Sequence, residues 1–402
     1  MNILFLTLVK INTLDERGIY TDLLRKFRDE GHNVSVVTPL ERRENKPTQL
    51  VKESDVSILK VRTFNLQKTN IVEKGLGTLA VEYQYLNAIK SYFTAVKFDL
   101  VLYSTPPITF SKVIDYIKKR DNAYSYLLLK DIFPQNAVDM KMLKDGGMLH
   151  KMFLRKEQKL YELSDTIGCM SVANKEYVIT HNPYLNPNNV EVNPNSIEPI
   201  PSFQVSPEYK EIKIKYSLPL DKKIFVYGGN LGKPQGLNFL LETIETNVNV
   251  NVFFLVVGSG TEYGRIEKWF IEKQVKNAKL ISGLKKSDYD LLLNACDVGM
   301  IFLDKDFTIP NFPSRLLSYL EMSKPVIAAT DEVTDLGDIL EANKCGFKII
   351  AGDIVNMHKV IDEICSNEEM YKIMCKNSID LLHKEYTVGR SYSLIKNKIE
   401  NV

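Results

Sequence analysis

Short apolar runs alternate with stretches of helical spacing along almost the whole chain. Residues 3–8 form an apolar run of strand length, after which Ile19, Leu23, Leu24 and Phe27 recur at helical spacing. Gly31 stands where a helix C-cap falls, and residues 34–38 read as a second strand closed by Pro39. Strand, helix and strand in this order make a βαβ unit, which predicts a parallel sheet with right-handed crossovers. Further strands are predicted at 57–61, 100–103, 124–129 and 166–170. Residues 181–209 then lose helix formers and gather Pro183, Pro187, Pro194, Pro199, Pro201 and Pro207, a linker signature with a domain boundary near 198–207.

The alternation restarts beyond it. Residues 224–227 read as a strand, followed by a glycine-rich loop and a helix with Leu237, Leu240, Leu241 and Ile244 on one face. Strands are expected at 252–257, 279–281, 298–302, 326–329 and 347–350, and Ser287 with Asp290 looks like a helix start. The halves share an architecture without a detectable repeat. They predict two doubly wound, Rossmann-like α/β domains with a ligand site between them.

Composition narrows the partners more than the chemistry. The chain has 402 residues, a formal net charge of +2, 44% hydrophobic and 25% charged residues. That is too apolar and too balanced for a disordered chain or a dedicated nucleic-acid binder. No apolar run approaches the ~18–20 residues of a spanning helix, and no basic residue precedes the hydrophobic stretch at Ile3, which argues against a signal peptide. Five cysteines, at 169, 296, 345, 365 and 375, make no CxxC pair, so a cytosolic protein is expected. Near-neutrality hides a basic segment. Residues 112–159 carry eleven Lys or Arg against six Asp or Glu, and 151–160 is amphipathic, as fits either a solvated helix or an anionic membrane surface.

In open α/β sheets ligands sit beyond the carboxyl ends of the strands, and four loops there carry candidate chemistry. Gly228-Gly229-Asn230-Leu231-Gly232-Lys233-Pro234-Gln235-Gly236 allows close backbone approach, with Lys233 as a charge for phosphate; a plain glycine-rich turn is its structural alternative. Gly258-Ser259-Gly260 follows the next strand, but the spacing to Gly264 misses the dinucleotide fingerprint, leaving a tight turn near a shared site. Asn311-Phe312-Pro313-Ser314-Arg315-Leu316 opens a helix with Ser314 as its natural N-cap. The N–H groups of Arg315 and Leu316 and the Arg315 guanidinium would hold a diphosphate, unless this is only a capped helix. Lys130-Asp131 directly follows an apolar strand, where burying a charged pair is costly unless the charges are paired or used. Asp131 suits orienting or deprotonating a hydroxyl. The five histidines show no metal-ligand spacing, and no GxSxG elbow is present.

Taken in order, these segments resemble the family-4 glycosyltransferases, retaining nucleotide-sugar enzymes of the GT-B fold. The segments 1–6 and 31–38 are similar to that family's first βαβ unit, and Val190-Glu191-Val192-Asn193-Pro194-Asn195 to its strand before the interdomain linker. Gly228 to Gly236 resembles its donor-phosphate loop, 256–260 the next turn, Leu280-Ile281-Ser282-Gly283-Leu284 its base-binding segment, and Lys324-Pro325-Val326-Ile327-Ala328 the strand after its ribose-binding helix. Tyr103-Ser104-Thr105-Pro106-Pro107 and the segment from Lys130 to Asp139 resemble a bacterial branch of amino-sugar transferases that build capsule and O-antigen, of the N-acetyl-fucosaminyl type. The sequence also departs from the family. No Gly-Gly pair lies in 10–17, Asn230 and Gln235 stand where an Arg and a Lys commonly bracket the phosphates, and Pro310 and Ser318 replace a glutamate pair. Lys130 and Asp131 stand where an acceptor-side histidine is usual.

The resemblance implies a GT-B protein facing a central cleft. Residues 1–200 would form the acceptor domain, 207–385 the donor domain, and a helix at about 386–402 would return to the first. It implies transfer of a sugar, an N-acetylated amino sugar, from a UDP-type donor to a lipid-linked glycan with retention, at the inner face of the plasma membrane. Asp131, Lys130, Lys233 and Arg315 would be catalytic. Gly229, Asn230, Lys233, Gly258, Gly283, Leu284, Asn311, Ser314, Arg315, Leu316 and Ser318 would bind the donor, with no metal or cofactor because basic residues offset the leaving charge. Two rival readings are a nucleotide-sugar epimerase of the same fold and a degenerate GT-B partner that binds glycan or activates another transferase.

Overall fold

The computed structural model describes residues 1–53, 55–65, 71–200 and 209–400. Most of the expected linker, from Pro201 through 207, therefore lies outside the described residues, as do the last two residues of the expected returning helix. The chain divides into two units, Met1–Glu198 with Val388–Val402, and Pro199–Thr387.

The first unit is built on β1 (Asn2–Leu6), β2 (Asn33–Glu41), β3 (Gln49–Glu53), β4 (Val56–Thr63), β5 (Leu100–Ser104), β6 (Tyr124–Leu128), β7 (Thr166–Cys169) and β8 (Val190–Val192). Their order across the sheet is β3-β4-β2-β1-β5-β6-β7-β8. All pairs are parallel except β3 against β4. Ile3, Leu4, Phe5 and Leu6 are all fully buried. A continuous apolar run of this kind marks a parallel strand covered on both faces. The helix Val388–Glu400 completes the unit. The edge of its Tyr392 ring meets the Phe27 ring at 4.9 Å, Ser391 bonds Asn193 at 2.7 Å, and Val388 N–H donates to the Ile197 carbonyl at 3.0 Å.

The second unit contains β9 (Lys223–Asn230), β10 (Val252–Ser259), β11 (Ala278–Ser282), β12 (Val298–Phe302), β13 (Val326–Thr330) and β14 (Gly346–Ile350). They run parallel in the order β11-β10-β9-β12-β13-β14. Strand order reverses around β9, so the loops after β9 and β12 leave the sheet at its topological switch point.

Three local expectations give way. β2 continues through Pro39 to Glu41. Thr7 N–H donates to the Val37 carbonyl, so residues 37 and 39 face the side of β1, which has already ended; the missing proline N–H has no ladder partner to serve. β3, with the sequence QLVKE, was not expected, because an edge strand with exposed charges carries little apolar signal. The helix Lys286–Asn294 begins one residue before Ser287, and Lys285 takes the cap position without a side-chain cap.

Candidate functional site

Gly228 lies near the end of β9 because nothing larger fits there. A Cβ on Gly228 would stand 1.8 Å from the Tyr289 hydroxyl, and one on Gly258 would lie 2.0 Å from the Gly229 carbonyl oxygen. Gly236 closes the loop in the left-handed region at φ 56, and its Cβ would meet the Leu303 carbonyl at 2.4 Å. The Tyr319 hydroxyl accepts the Gly228 N–H at 3.0 Å and lies 3.2 Å from the Met300 carbonyl, so it ties β9 to β12. Gly283 and Leu284 follow β11, where a Cβ on Gly283 would lie 3.2 Å from Ser259 Oγ; this turn abuts the end of β10.

Arg315 brings charge to this backbone cradle. It opens the short helix Arg315–Glu321, and its guanidinium lies over the Tyr227 ring, 4.7 Å from the centre. Nη2 donates to Gln235 Oε1. The Tyr227 hydroxyl donates to the Asn230 carbonyl at 2.8 Å. A Cβ on Gly229 would be 3.7 Å from the guanidinium carbon, so that glycine lies directly beside it. Nη1 is buried and has no hydrogen-bond partner. An unsatisfied buried donor costs roughly 1–3 kcal/mol, more when charged, which argues for an anion that is meant to arrive. Lys233 occupies the single 3₁₀ turn Lys233–Gln235, exposed, and no carboxylate among the described residues pairs with it.

Other expected donor residues behave differently. Ser314 takes the N-cap position in helical geometry, and its side chain makes no cap hydrogen bond. Leu316 N–H donates to the Pro313 carbonyl at 3.2 Å and its side chain is fully buried, so neither is offered to a ligand. Asn311 turns inward: its N–H donates to Thr334 Oγ1 and its amide to the Ile309 carbonyl. Ser318 is half-buried on the same helix as Arg315, one turn on.

In the first unit, Lys130 and Asp131 follow β6 directly. Thr105 Oγ1 accepts the Lys130 N–H at 3.1 Å and donates to the Asp131 carbonyl at 3.1 Å, clamping the turn to the end of β5. Burial brings the Lys130 ammonium down to about 7. Burial likewise raises the Asp131 carboxyl to about 6, against the lowering effect of the 2.6 Å bond from Asn136 Nδ2. No carboxylate among the described residues forms an ion pair with Lys130. Asn136 Oδ1 is buried without a partner. Among the described residues no three His, Cys, Asp or Glu side chains form a group able to hold a metal ion.

The basic segment has a second property that charge counting leaves out. The helix Met148–Leu163 buries His150, Glu157, Leu160 and Tyr161. Around its start Met142 (73% exposed), Met148 (85%) and Leu149 (57%) stand in solvent among exposed Lys141, Lys144, Lys151 and Arg155. Among the described residues no helix is long and apolar enough to cross a membrane.

Residues 208–380 match the family described as glycosyl transferases group 1. That match lies within the second unit, Pro199–Thr387. The chain is 24% identical over 356 residues to the probable glycosyltransferase WbjE of Pseudomonas aeruginosa, covering 87% of this chain and 85% of that protein. The sucrose-phosphate synthase structure from Thermosynechococcus elongatus superposes with a TM-score of 0.77 at 15% identity, over 100% of this chain and 98% of that one. The Anabaena HepE structure in complex with UDP gives 0.67 at 14% identity over the whole of both chains. Such identities speak to fold alone, and the fold is GT-B, with two parallel-sheet α/β units.

Within the matched segment, the structure gathers Gly229, Asn230, Lys233, Gly258, Gly283 and Arg315 at the carboxyl ends of β9 to β11 and the start of the Arg315–Glu321 helix. It adds Tyr227 and Tyr319, which pattern reading treats as core. A tyrosine ending an apolar strand directly before Gly-Gly was the available signal at 227. Nothing in the sequence marks Tyr319, whose partner lies 91 positions away.

Proposed function

We propose that this chain transfers an N-acetylated amino sugar from a UDP sugar to a lipid-linked glycan, with retention, in building bacterial capsule or O-antigen. The observation that carries the reading is Arg315: a guanidinium with one buried, unpartnered N–H beside Gly229 in the segment that matches group 1 glycosyl transferases. The HepE structure is a complex with UDP, which supports a uridine donor.

In this proposal the diphosphate seats on the Gly229 backbone, with Arg315 and Lys233 facing its oxygens. The bond from the anomeric carbon to the phosphate oxygen breaks, and the acceptor oxygen bonds to that carbon on the same face. The acceptor proton passes to a departing phosphate oxygen. The side-chain cations thus stand where negative charge develops. Asp131 and Lys130 position the acceptor. Transfer needs no protein-bound metal, since these cations offset the leaving charge. The apolar and basic start of the Met148–Leu163 helix holds the enzyme at the inner face of the membrane, where the acceptor lies.

The test is transfer from UDP-N-acetyl sugars to lipid-linked acceptors extracted from membranes, with released UDP and glycolipid both measured. Arg315→Ala should lower kcat/KM about 10²–10³-fold and Lys233→Ala about tenfold, with EDTA leaving the wild-type rate unchanged. Wild-type rates in both variants would show that this site assignment is wrong. The anomeric coupling constant of the product separates retention from inversion.

A further inference from the structure

Arg315 does not hold itself in place. Its guanidinium has three engagements: the Tyr227 ring under its face at 4.7 Å, Gln235 Oε1 on Nη2, and the open backbone of Gly229 beside its carbon. Tyr227 is in turn fixed by its hydroxyl bond to the Asn230 carbonyl, and that hydroxyl stands 3.4 Å from Gln235 Oε1. These contacts use one nitrogen and one face and leave Nη1 buried with no acceptor.

The partner chosen for Nη2 matters. A carboxylate at position 235 would anchor the guanidinium at least as firmly, because it adds full opposite charge and can accept two parallel N–H bonds from the guanidinium. It would also cancel the positive charge at the point where an anion must bind. An amide oxygen anchors without neutralising. An aromatic face does the same, since it attracts the cation while adding no negative charge. Both groups that grip Arg315 therefore share one property: they fix its direction and preserve its charge.

We infer that Gln235 and Tyr227 are positioning residues that aim the Arg315 Nη1 donor, fully charged, at the β-phosphate side of a bound diphosphate. The inference rests on the donor-site reading above and goes further by assigning the specificity for anionic oxygen to an uncharged clamp. Gln235 touches the guanidinium and acts through it.

Inorganic pyrophosphate and UDP are the probes, titrated calorimetrically into the full-length protein and its variants, with unliganded melting temperatures measured in parallel. Gln235→Ala frees the guanidinium and should weaken both probes about tenfold. Gln235→Glu keeps the anchor and spends the charge. It should weaken pyrophosphate at least tenfold while the unliganded melting temperature stays equal to or above that of the wild type. A residue serving only loop structure would give the opposite pairing, with Glu harmless to binding and Ala costly to stability. Wild-type affinity in Gln235→Glu, with Arg315→Ala losing binding, overturns the clamp and leaves the donor-site reading standing. Wild-type affinity in Arg315→Ala, or no binding of either probe by the wild type at millimolar concentration, overturns both.

Discussion

Lys130 and Asp131 follow each other at the end of one strand, and burial pulls their ionisations toward each other, the lysine down to about 7 and the aspartate up to about 6. Between those values both are charged. As pH falls through about 6 Asp131 takes up a proton, and as pH rises through about 7 Lys130 loses one. If both charges serve transfer, kcat/KM should follow a narrow bell centred between about 6 and 7. Asp131→Asn should remove the acid limb and leave a lower plateau. Lys130→Arg, which stays charged, should remove the alkaline limb. A wild-type profile flat from about pH 5.5 to 8 would exclude both groups. That a charged pair terminates an apolar strand is legible in the sequence. That no described carboxylate pairs with Lys130, and that Thr105 clamps the turn, depends on which side chains the β5 and β6 ends bring together.

Strand ends, where the loops leave the sheet, govern the site at the next scale. Gly236 holds a left-handed backbone, and a Cβ there would lie 2.4 Å from the Leu303 carbonyl oxygen. Gly236→Ala should destabilise the second unit by about 1–3 kcal/mol from backbone strain alone, and more from the collision, as read by urea unfolding. Gly264→Ala is the control, since a Cβ there has nothing within 4 Å. The buried strands were the most legible elements, because parallel strands covered on both faces are plain apolar runs. Their ends were less so. Nothing local distinguishes Ser314 as a residue in cap position whose hydroxyl makes no cap bond, and Pro39 is tolerated only because its neighbour strand stops two positions earlier. The glycine-rich loop was visible from composition, whereas its Tyr227, Gln235 and Arg315 arrangement joins residues up to 88 positions apart.

For the whole molecule, the basic and apolar run from Lys141 to Arg155 should bind vesicles containing phosphatidylglycerol and not pure phosphatidylcholine. Met148→Asp with Leu149→Asp should abolish co-sedimentation without changing the melting temperature, because both side chains are already in solvent. The first unit also depends on residues far along the chain. Val388, Tyr392 and Ile395 lie in the same core cluster as Ile3, Phe5 and Phe27. Deleting residues 388–402 removes burial worth on the order of 5 kcal/mol, comparable to the whole stability of many domains. Limited proteolysis of that truncation should digest Met1–Glu198 and spare Pro199–Thr387. The balanced alternation of strands and helices made two α/β units legible, but no pattern inside the tail says which core its apolar face completes. The same arrangement sets an order of events during synthesis. All of Pro199–Thr387 is translated between the two parts of the first unit. At about 5–20 residues per second the ribosome needs on the order of ten to forty seconds for it. Throughout that interval the face around Phe27 waits uncovered on a nascent chain, so the half that emerges first is the half that finishes folding second.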